Sequence, residues 1–299
     1  MKVGFIGLGV MGRPMALNLK SAGHEIVILE RASLAAELRA AATVCGDAAM
    51  VAEQAEAVIT VLPGRDEVEQ VLFGQHGVVE GLRQGTLVVE MSSISPVAAR
   101  DFGARIAAAG GAWLDAALCG GEHDARHASL AIMAGGASDS FARARPLLEA
   151  MGGARHVGEA PGAGQVCKIA RQILAAINLQ GIAEAIIFAR KAGIDPASLQ
   201  AALADGGAVA AREEHVARML DHDFTPGFSI RQHQKDLDLA LSAAREMGMA
   251  LPATALVQQM FSATAASQAG SGVGADLDHT ALVTVIEALA SLTALSLSS

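Results

Sequence analysis

The sequence predicts an α/β fold in which an N-terminal doubly wound sheet is followed by an all-α C-terminal domain. Three observations predict it. Short apolar runs alternate with helical patterns through the first half, an arrangement that gives a mostly parallel sheet covered on both faces. A glycine-rich turn, Gly7-Leu-Gly-Val-Met-Gly12, separates the first run from the first helical pattern. After Gly164 no strand-like run remains. A length of 299 residues suffices for one large domain or two ordinary ones. Pro161-Gly-Ala-Gly164 breaks the alternation, which places a sheet domain over residues 1–161 and a helical domain over 162–299.

The first strand is Lys2–Ile6, with Val3, Phe5 and Ile6 buried. Gly7, Gly9 and Gly12 follow with G-x-G-x-x-G spacing, and a helix pattern runs over Met11–Ala22. The first glycine permits a tight turn, the second lets backbone approach a pyrophosphate, and the third lets helix pack close to strand. Phosphates then sit at the helix N-terminus, where unpaired N–H groups and the dipole favour anions. A second strand, Glu25–Leu29, ends at the acid Glu30. Strand, glycine turn, helix, strand and terminal acid together read as a Rossmann-type dinucleotide-binding unit. Further strands are expected at Ala57–Leu62, Thr86–Glu90, Trp113–Leu118, Leu130–Ala134 and Ala154–Val157. Helices are expected at Ser33–Ala42, Arg65–Phe73, Pro96–Ala109 and Asp139–Met151.

The second half opens with a proline-free segment, Gln165–Ala192, that is apolar nearly all round, with Ile169, Ile173, Leu174, Ile177, Leu179, Ile182, Ile186, Ile187 and Phe188. Such a helix is buried on several sides, here between the domains and against a second subunit of a homodimer or homotetramer. Gly193 is its C-cap, and Asp195-Pro196 supplies the cap and first residue of the next helix. Helices follow at Pro196–Leu203, Val209–Leu220, Ser229–Met247, Pro252–Ala269 and Asp278–Ala294, with a flexible loop from Gly270 to Gly274.

Composition narrows the function. The chain is 52% hydrophobic with a mean hydropathy of +0.38. No uninterrupted apolar run reaches the roughly 18 residues of a spanning helix, so no membrane role is expected. The N-terminal apolar run is broken by glycines and lacks an A-x-A site, which reads as a strand and not a signal peptide. Three cysteines, Cys45, Cys119 and Cys167, form no disulfide framework, as expected of a cytoplasmic protein. A formal charge of −9 argues against nucleic acid as the main partner.

Six motifs carry a resemblance. They are Gly7-Leu-Gly-Val-Met-Gly-Arg-Pro-Met-Ala-Leu-Asn-Leu19, Val61-Leu-Pro63, Met91-Ser-Ser-Ile-Ser-Pro96, Asp115-Ala-Ala-Leu-Cys-Gly-Gly121, Gly162-Ala-Gly-Gln-Val-Cys-Lys168 and His233-Gln-Lys-Asp-Leu237. In this order, over almost the whole chain, they resemble the β-hydroxyacid dehydrogenases, the family of 3-hydroxyisobutyrate dehydrogenase and tartronate semialdehyde reductase. The resemblance implies hydride transfer between NAD(P) and a small β-hydroxy acid or its semialdehyde. It assigns the proton relay at the substrate oxygen to Lys168, which sits early in the apolar helix, where desolvation lowers an amine's pKa. Gln172, four residues on and on the same helical face, stands where many members have a substrate-binding asparagine. Arg171 has two readings: a structural ion pair, or a contact with a second acidic group on the substrate.

The same resemblance assigns the dinucleotide to Gly7, Leu8, Gly9, Val10, Met11 and Gly12, to backbone contacts at Val61, Leu62 and Pro63, and to Ser93 near the nicotinamide ribose. Lys235 would reach the nicotinamide end of the cleft, with Asp236 ordering it beside the substrate. Cys119, Gly120 and Gly121 would hold the substrate carboxylate through inward-pointing N–H groups. This loop departs from the family pattern: Ala117 replaces a proline, Cys119 a serine, Asp124 and Ala128 glycines, and Ser129 a threonine. Cys119 packs like a small substitute for serine, and a reactive thiol is its other reading. His123 and His127 are four apart with Asp124 between, but the segment reads as an irregular loop without a third ligand, so no metal is expected. His233 and His279 read as packing or capping residues and Arg231 as a surface arginine. Glu30 is placed to bond the adenosine ribose hydroxyls, which favours NAD, whereas Arg31 could meet the 2′-phosphate of NADP. A carboxylate and a phosphate repel, so the balance falls to NAD. Competing readings are an imine reductase, opposed by Lys168, and a nucleotide-binding regulatory protein without turnover, motivated by the altered loop.

Overall fold

A computed structural model describes residues 1–30, 36–205, 213–267 and 274–291. They fall into two compact units, Met1–Lys168 and Ile169–Ser299. The first unit is built on β1 (Lys2–Ile6), α1 (Gly12–Ser21), β2 (Glu25–Leu29), α2 (Ala36–Ala41), β3 (Thr43–Cys45), α3 (Ala48–Gln54), β4 (Ala57–Thr60) and α4 (Arg65–Phe73). It continues through β5 (Leu87–Glu90), α5 (Pro96–Ala108), β6 (Ala112–Cys119), α6 (Glu122–Arg126), β7 (Leu130–Gly135), α7 (Ser138–Glu149) and β8 (Gly152–Gly158).

The eight strands form one sheet in the order β3-β2-β1-β4-β5-β6-β7-β8. The first six run parallel, so the order reverses between β1 and β4, where open α/β sheets leave a crevice at the carboxyl ends of the strands. β7 runs antiparallel to β6, because the connection through α6 is too short for a crossover, and β8 pairs parallel to β7. Alternate residues enter opposite cores. Phe5, Ile28, Ile59, Val89 and Leu114 pack on one face, and Ile6, Val27, Val58, Val88 and Trp113 on the other.

Three details differ from the sequence expectation. β4 ends at Thr60, so Val61–Pro63 form a loop and not the end of a strand. β3 and α3 lie in an alanine-rich stretch with little hydrophobic contrast, and the short strand is recognisable only by its pairing with β2. The one local signal there is Asp47, which accepts from the Met50 N–H at 2.8 Å and caps α3. The segment around His123 is helical, not irregular. Ser33 and Arg31 lie outside the described residues.

The second unit is helical. α8 (Ala163–Lys191) carries the chain into it, followed by α9 (Pro196–Asp205), α10 (Glu213–Asp221), α11 (Ile230–Glu246), α12 (Pro252–Ser267) and α13 (Val283–Leu289). Gly193 adopts φ +85° past the end of α8, and Asp195 accepts from the Ser198 N–H at 3.0 Å to start α9. Ser229 and Gln232 form the capping box of α11. The last expected helix instead opens as a 3₁₀ turn over His279–Leu282, because Asp278 accepts from the Thr280 N–H and hydroxyl. The start of the helix expected at Val209 and most of the Gly270–Gly274 loop lie outside the described residues. Ile186, Val216, Ile230, Leu237, Phe261 and Leu282 form the core. Among the described residues, α8 is the one helix long and apolar enough by length and composition to cross a membrane, although Lys168 and Arg171 interrupt it.

Two histidines lie in this helical core. His233 is fully buried and His279 is 8% exposed, with their Nδ1 atoms 3.0 Å apart. His233 Nε2 lies 3.1 Å from the Gln172 carbonyl, so this nitrogen donates the proton and His233 Nδ1 must accept from His279. Burial lowers the pKa of both, His279 to about 3, with the facing His233 adding to the effect. Their stabilising contribution is therefore complete above the unfolded value near 6.5 and is lost as pH falls from there toward 3. Unfolding free energies measured in urea should fall over that window by up to ~1.4 kcal/mol per pH unit for each proton taken up. In His279→Asn the slope should be shallower by about one proton, and an identical slope would remove the pair from acid sensitivity.

Candidate active site

The turn after β1 shows why its glycines occupy their positions. Gly7 has φ +107°, and a Cβ there would lie 2.0 Å from the Val61 carbonyl oxygen. A Cβ on Gly12 would lie 1.8 Å from the Gly7 carbonyl oxygen. Both positions are closed by the chain's own backbone. A Cβ on Gly9 would meet nothing within 4 Å, which leaves open space above the middle of the turn. Leu8 and Met11 pack against the sheet core, while Val10 is exposed. The first turn of α1 holds no acidic residue and no side-chain cap, so no side chain opposes an anion there, although the Arg13 N–H bonds the Gly9 carbonyl at 3.0 Å and Pro14 has no N–H. These residues fit a dinucleotide pyrophosphate.

Beyond β2, Glu30 lines a cavity of about 660 Å³ with Leu29, Gly46, Asp47, Val71 and Gln75. Its carboxylate is held by Arg39 of α2, whose Nη1 donates to Oε2 at 2.9 Å while Nη2 meets Oε1. The sequence reading passed over Arg39, because its pairing depends on how α2 packs beside β2. The pair balances charge at this end of the site.

Thr60 and Glu90 end β4 and β5, and they stand in register with Asp115, which lies midway along β6. Asp115 is fully buried and accepts from the Gly162 N–H at 2.6 Å and the Gln165 N–H at 3.1 Å, which fixes the first turn of α8. Burial pushes its carboxyl up to about 6, against the opposing backbone bonds. Gln165 Nε2 donates to the Ser92 carbonyl at 2.8 Å, and the Leu62 N–H donates to Ser92 Oγ at 2.8 Å. Lys168 is 7% exposed, and its Nζ bonds Ser93 Oγ. The structure thus joins Lys168, Ser93 and the Val61–Pro63 loop in the unit that also holds the glycine turn.

One turn after Lys168 on α8, Gln172 donates from Nε2 to Asp236 Oδ2 at 2.9 Å within the helical unit. Asp236 is buried, and Lys235 is exposed in a groove with Asp238, Arg245 and Gln258. Arg231 is exposed and pairs with Asp276 at 2.9 Å. Arg171 is exposed and makes no ion pair among the described residues.

The Cys119–Gly121 loop follows β6. Cys119 is buried, and Gly120 has φ +131°. Asp124 turns back so that Oδ2 accepts from the Gly121 N–H at 2.8 Å, while Oδ1 accepts from Ser129 Oγ at 3.1 Å. One N–H expected to face an external anion is therefore engaged by the chain itself. The His123 and His127 rings lie 4.2 Å apart, tilted by 34°, with His127 Nδ1 2.8 Å from the His123 carbonyl.

Comparisons with known proteins agree with this geometry. Residues 2–160 match the family described as the NAD binding domain of 6-phosphogluconate dehydrogenase. Residues 162–286 match that described as the NAD-binding domain of NADP-dependent 3-hydroxyisobutyrate dehydrogenase. The chain is 42% identical over 293 residues to 2-hydroxy-3-oxopropionate reductase of Escherichia coli, covering 97% of this chain and 98% of that one. The chain belongs to the β-hydroxyacid dehydrogenase family. A second relative, 3-hydroxyisobutyrate dehydrogenase of Pseudomonas aeruginosa, is 35% identical, with coverage of 89% of this chain and 93% of the relative. A solved structure of Mycobacterium tuberculosis 3-hydroxyisobutyrate dehydrogenase with L-serine superimposes with a TM-score of 0.84 at 32% identity, covering 95% of this chain and 98% of that one. This β-hydroxyacid dehydrogenase is an NAD(P)-binding oxidoreductase.

The glycine geometry separates folding from cofactor binding. Gly9→Ala has room for its methyl and should keep the wild-type melting temperature while weakening NAD(P)H binding, measured by fluorescence titration, by about tenfold. Gly7→Ala, closed by backbone and by its φ, should fail to fold stably. A Gly9→Ala protein with unchanged NAD(P)H affinity would remove the open face of this turn from the cofactor site.

Proposed function

We propose that this enzyme interconverts a small β-hydroxy acid and its semialdehyde, with Lys168 as acid/base. The observation that carries the reading is the bond from the buried Lys168 to Ser93, in the unit that carries the glycine turn. Nicotinamide dinucleotide, when bound, supplies the hydride acceptor or donor. Gly7–Gly12 would hold its pyrophosphate, Glu30 and Arg39 its adenosine ribose, and Val61–Pro63 with Ser93 its nicotinamide half. Lys168 would take the proton of the substrate hydroxyl during oxidation and return it to the carbonyl oxygen during reduction. The Gln172 amide, oriented by Asp236, would bond the substrate, and Lys235 would stand at the nicotinamide end. Cys119, Gly120 and Gly121 would receive the carboxylate, with Asp124 already occupying one of the donors. That occupied donor is also the observation favouring the second reading, a nucleotide-binding protein without turnover. NAD(P)H absorbance over a panel of hydroxy acids separates the two, because binding without turnover on any acid would support the second.

Leu174, Ile177 and Phe188 form an exposed apolar stripe on α8 that supports a homodimer or homotetramer.

Lys168→Ala should lower kcat by about two orders of magnitude or more, with NAD(P)H affinity near wild type. Near-normal turnover would remove Lys168 from the mechanism. The cofactor preference is NAD, because Glu30 offers a carboxylate to ribose hydroxyls and repels a 2′-phosphate. Glu30→Asn removes that charge and releases Arg39, so the kcat/KM ratio of NADP to NAD should rise by about tenfold. An unchanged ratio would show that Glu30 does not select the cofactor.

A further inference from the structure

Glu90 is a buried carboxylate to which the proposed reaction gives no task. It ends β5, is fully buried, and stands in register between Thr60 of β4 and Asp115 of β6, across three parallel strands. Its neighbours earlier in β5 are Leu87, Val88 and Val89, each of which simply fills an apolar core. A carboxylate in that setting is costly unless its oxygens are bonded. They are: Oε1 accepts from the Ser92 N–H at 2.5 Å, and Oε2 meets Thr60 Oγ1.

The bonds continue outward from there. Ser92 Oγ accepts from the Leu62 N–H, and the Ser92 carbonyl accepts from Gln165 Nε2, both at 2.8 Å. The next residue, Ser93, bonds Lys168 through its hydroxyl. One carboxylate therefore ties the end of β4 to the Ser92–Ser93 turn, and that turn is bonded both to the Val61–Pro63 loop and to the first turns of α8. All of these contacts lie within the Met1–Lys168 unit.

We propose that Glu90 is a positioning residue that holds the Ser92–Ser93 turn, and through it the Lys168 amine, in the geometry used for proton transfer. This rests on the reading of Lys168 as the acid/base. Glu90 touches neither substrate nor cofactor in this account. It acts by fixing where the Ser93 hydroxyl and the Leu62 amide stand. Burial pushes its carboxyl up to about 7, opposed by the bonds from Ser92 and Thr60 and reinforced by the adjacent Asp115.

The test compares Glu90→Gln, Thr60→Val and Lys168→Ala in the full chain, reading kcat, hydroxy acid KM, NADH affinity by fluorescence, and melting temperature. Glu90→Gln should lower kcat by about tenfold or more, because small displacements of a proton-transfer group are costly. NADH affinity and hydroxy acid KM should stay within about threefold of wild type. Thr60→Val, which keeps the side-chain shape and removes one bond to Glu90, should lower kcat in the same direction. The two losses should be non-additive in the double variant, as expected of members of one network. If Glu90→Gln does not fold, Thr60→Val alone carries the kcat-against-KM comparison. A kcat within about twofold of wild type in whichever variants fold, or a lowered melting temperature with unchanged kinetics, overturns the proposal and leaves Glu90 a stability residue. Full turnover in Lys168→Ala overturns the acid/base reading itself, and with it the task assigned to Glu90.

Discussion

Asp115 carries more of this structure than any other single residue. Its carboxylate is fully buried midway along β6 and is bonded by the N–H groups of Gly162 and Gln165. Those N–H groups belong to the entry and first turn of α8, where a helix leaves its donors unpaired and favours negative charge. The bonds offset the cost of burying the carboxylate. Gly164 makes the approach possible: a Cβ there would lie 2.3 Å from the Met133 carbonyl oxygen and 2.8 Å from Asp115 Oδ2. With the start of the helix fixed, Lys168 falls one turn later at Ser93, and Gln172 one turn beyond that.

The sheet and the site share one physical device. Parallel strands leave their carboxyl ends facing the same way, and here β4 and β5 end in the polar Thr60 and Glu90 while the residues before them are apolar. Thr60, Glu90 and Asp115 form a polar row across three neighbouring strands. A buried carboxylate without partners would be expensive, so Glu90 takes the Ser92 N–H and the Thr60 hydroxyl, and Asp115 takes the Gly162 and Gln165 N–H groups. Rigid strands thereby fix the loops, which is how side chains in a site are kept to the tolerance that catalysis requires.

The departures from the family pattern are concentrated in one loop. Asp124 and Ser129 replace a glycine and a threonine, and they bond each other while Asp124 also takes the Gly121 amide. The substitutions thus act together as a local cap on α6. The Gly121 amide is thereby engaged within the chain itself. Glu30 is likewise held by a partner distant in sequence, the Arg39 guanidinium.

The sequence by itself determined the class of fold, the glycine turn, the long apolar helix and the family. Each of these rests on local spacing: period-two and period-3.6 patterns, glycines at fixed intervals, and motifs in a set order. Sequence alone also placed Lys168 at the start of α8, because the motif and the helix pattern overlap there. Only the tertiary structure decided the partners. The antiparallel turn of β7, the three-residue β3, the clamp of Arg39 on Glu30, the use of the Gly121 amide by Asp124, and the row of Thr60, Glu90 and Asp115 all depend on segments brought side by side. Glu90 shows the reason most clearly. In the sequence it is one acid ending an apolar run, as Glu30 is, and nothing nearby distinguishes them. The first faces Thr60, thirty residues earlier, and is buried, while the second is partly exposed beside an arginine. Burial and long-range pairing are properties of the packed sheet, so the role of such an acid cannot be read before the strands are in register.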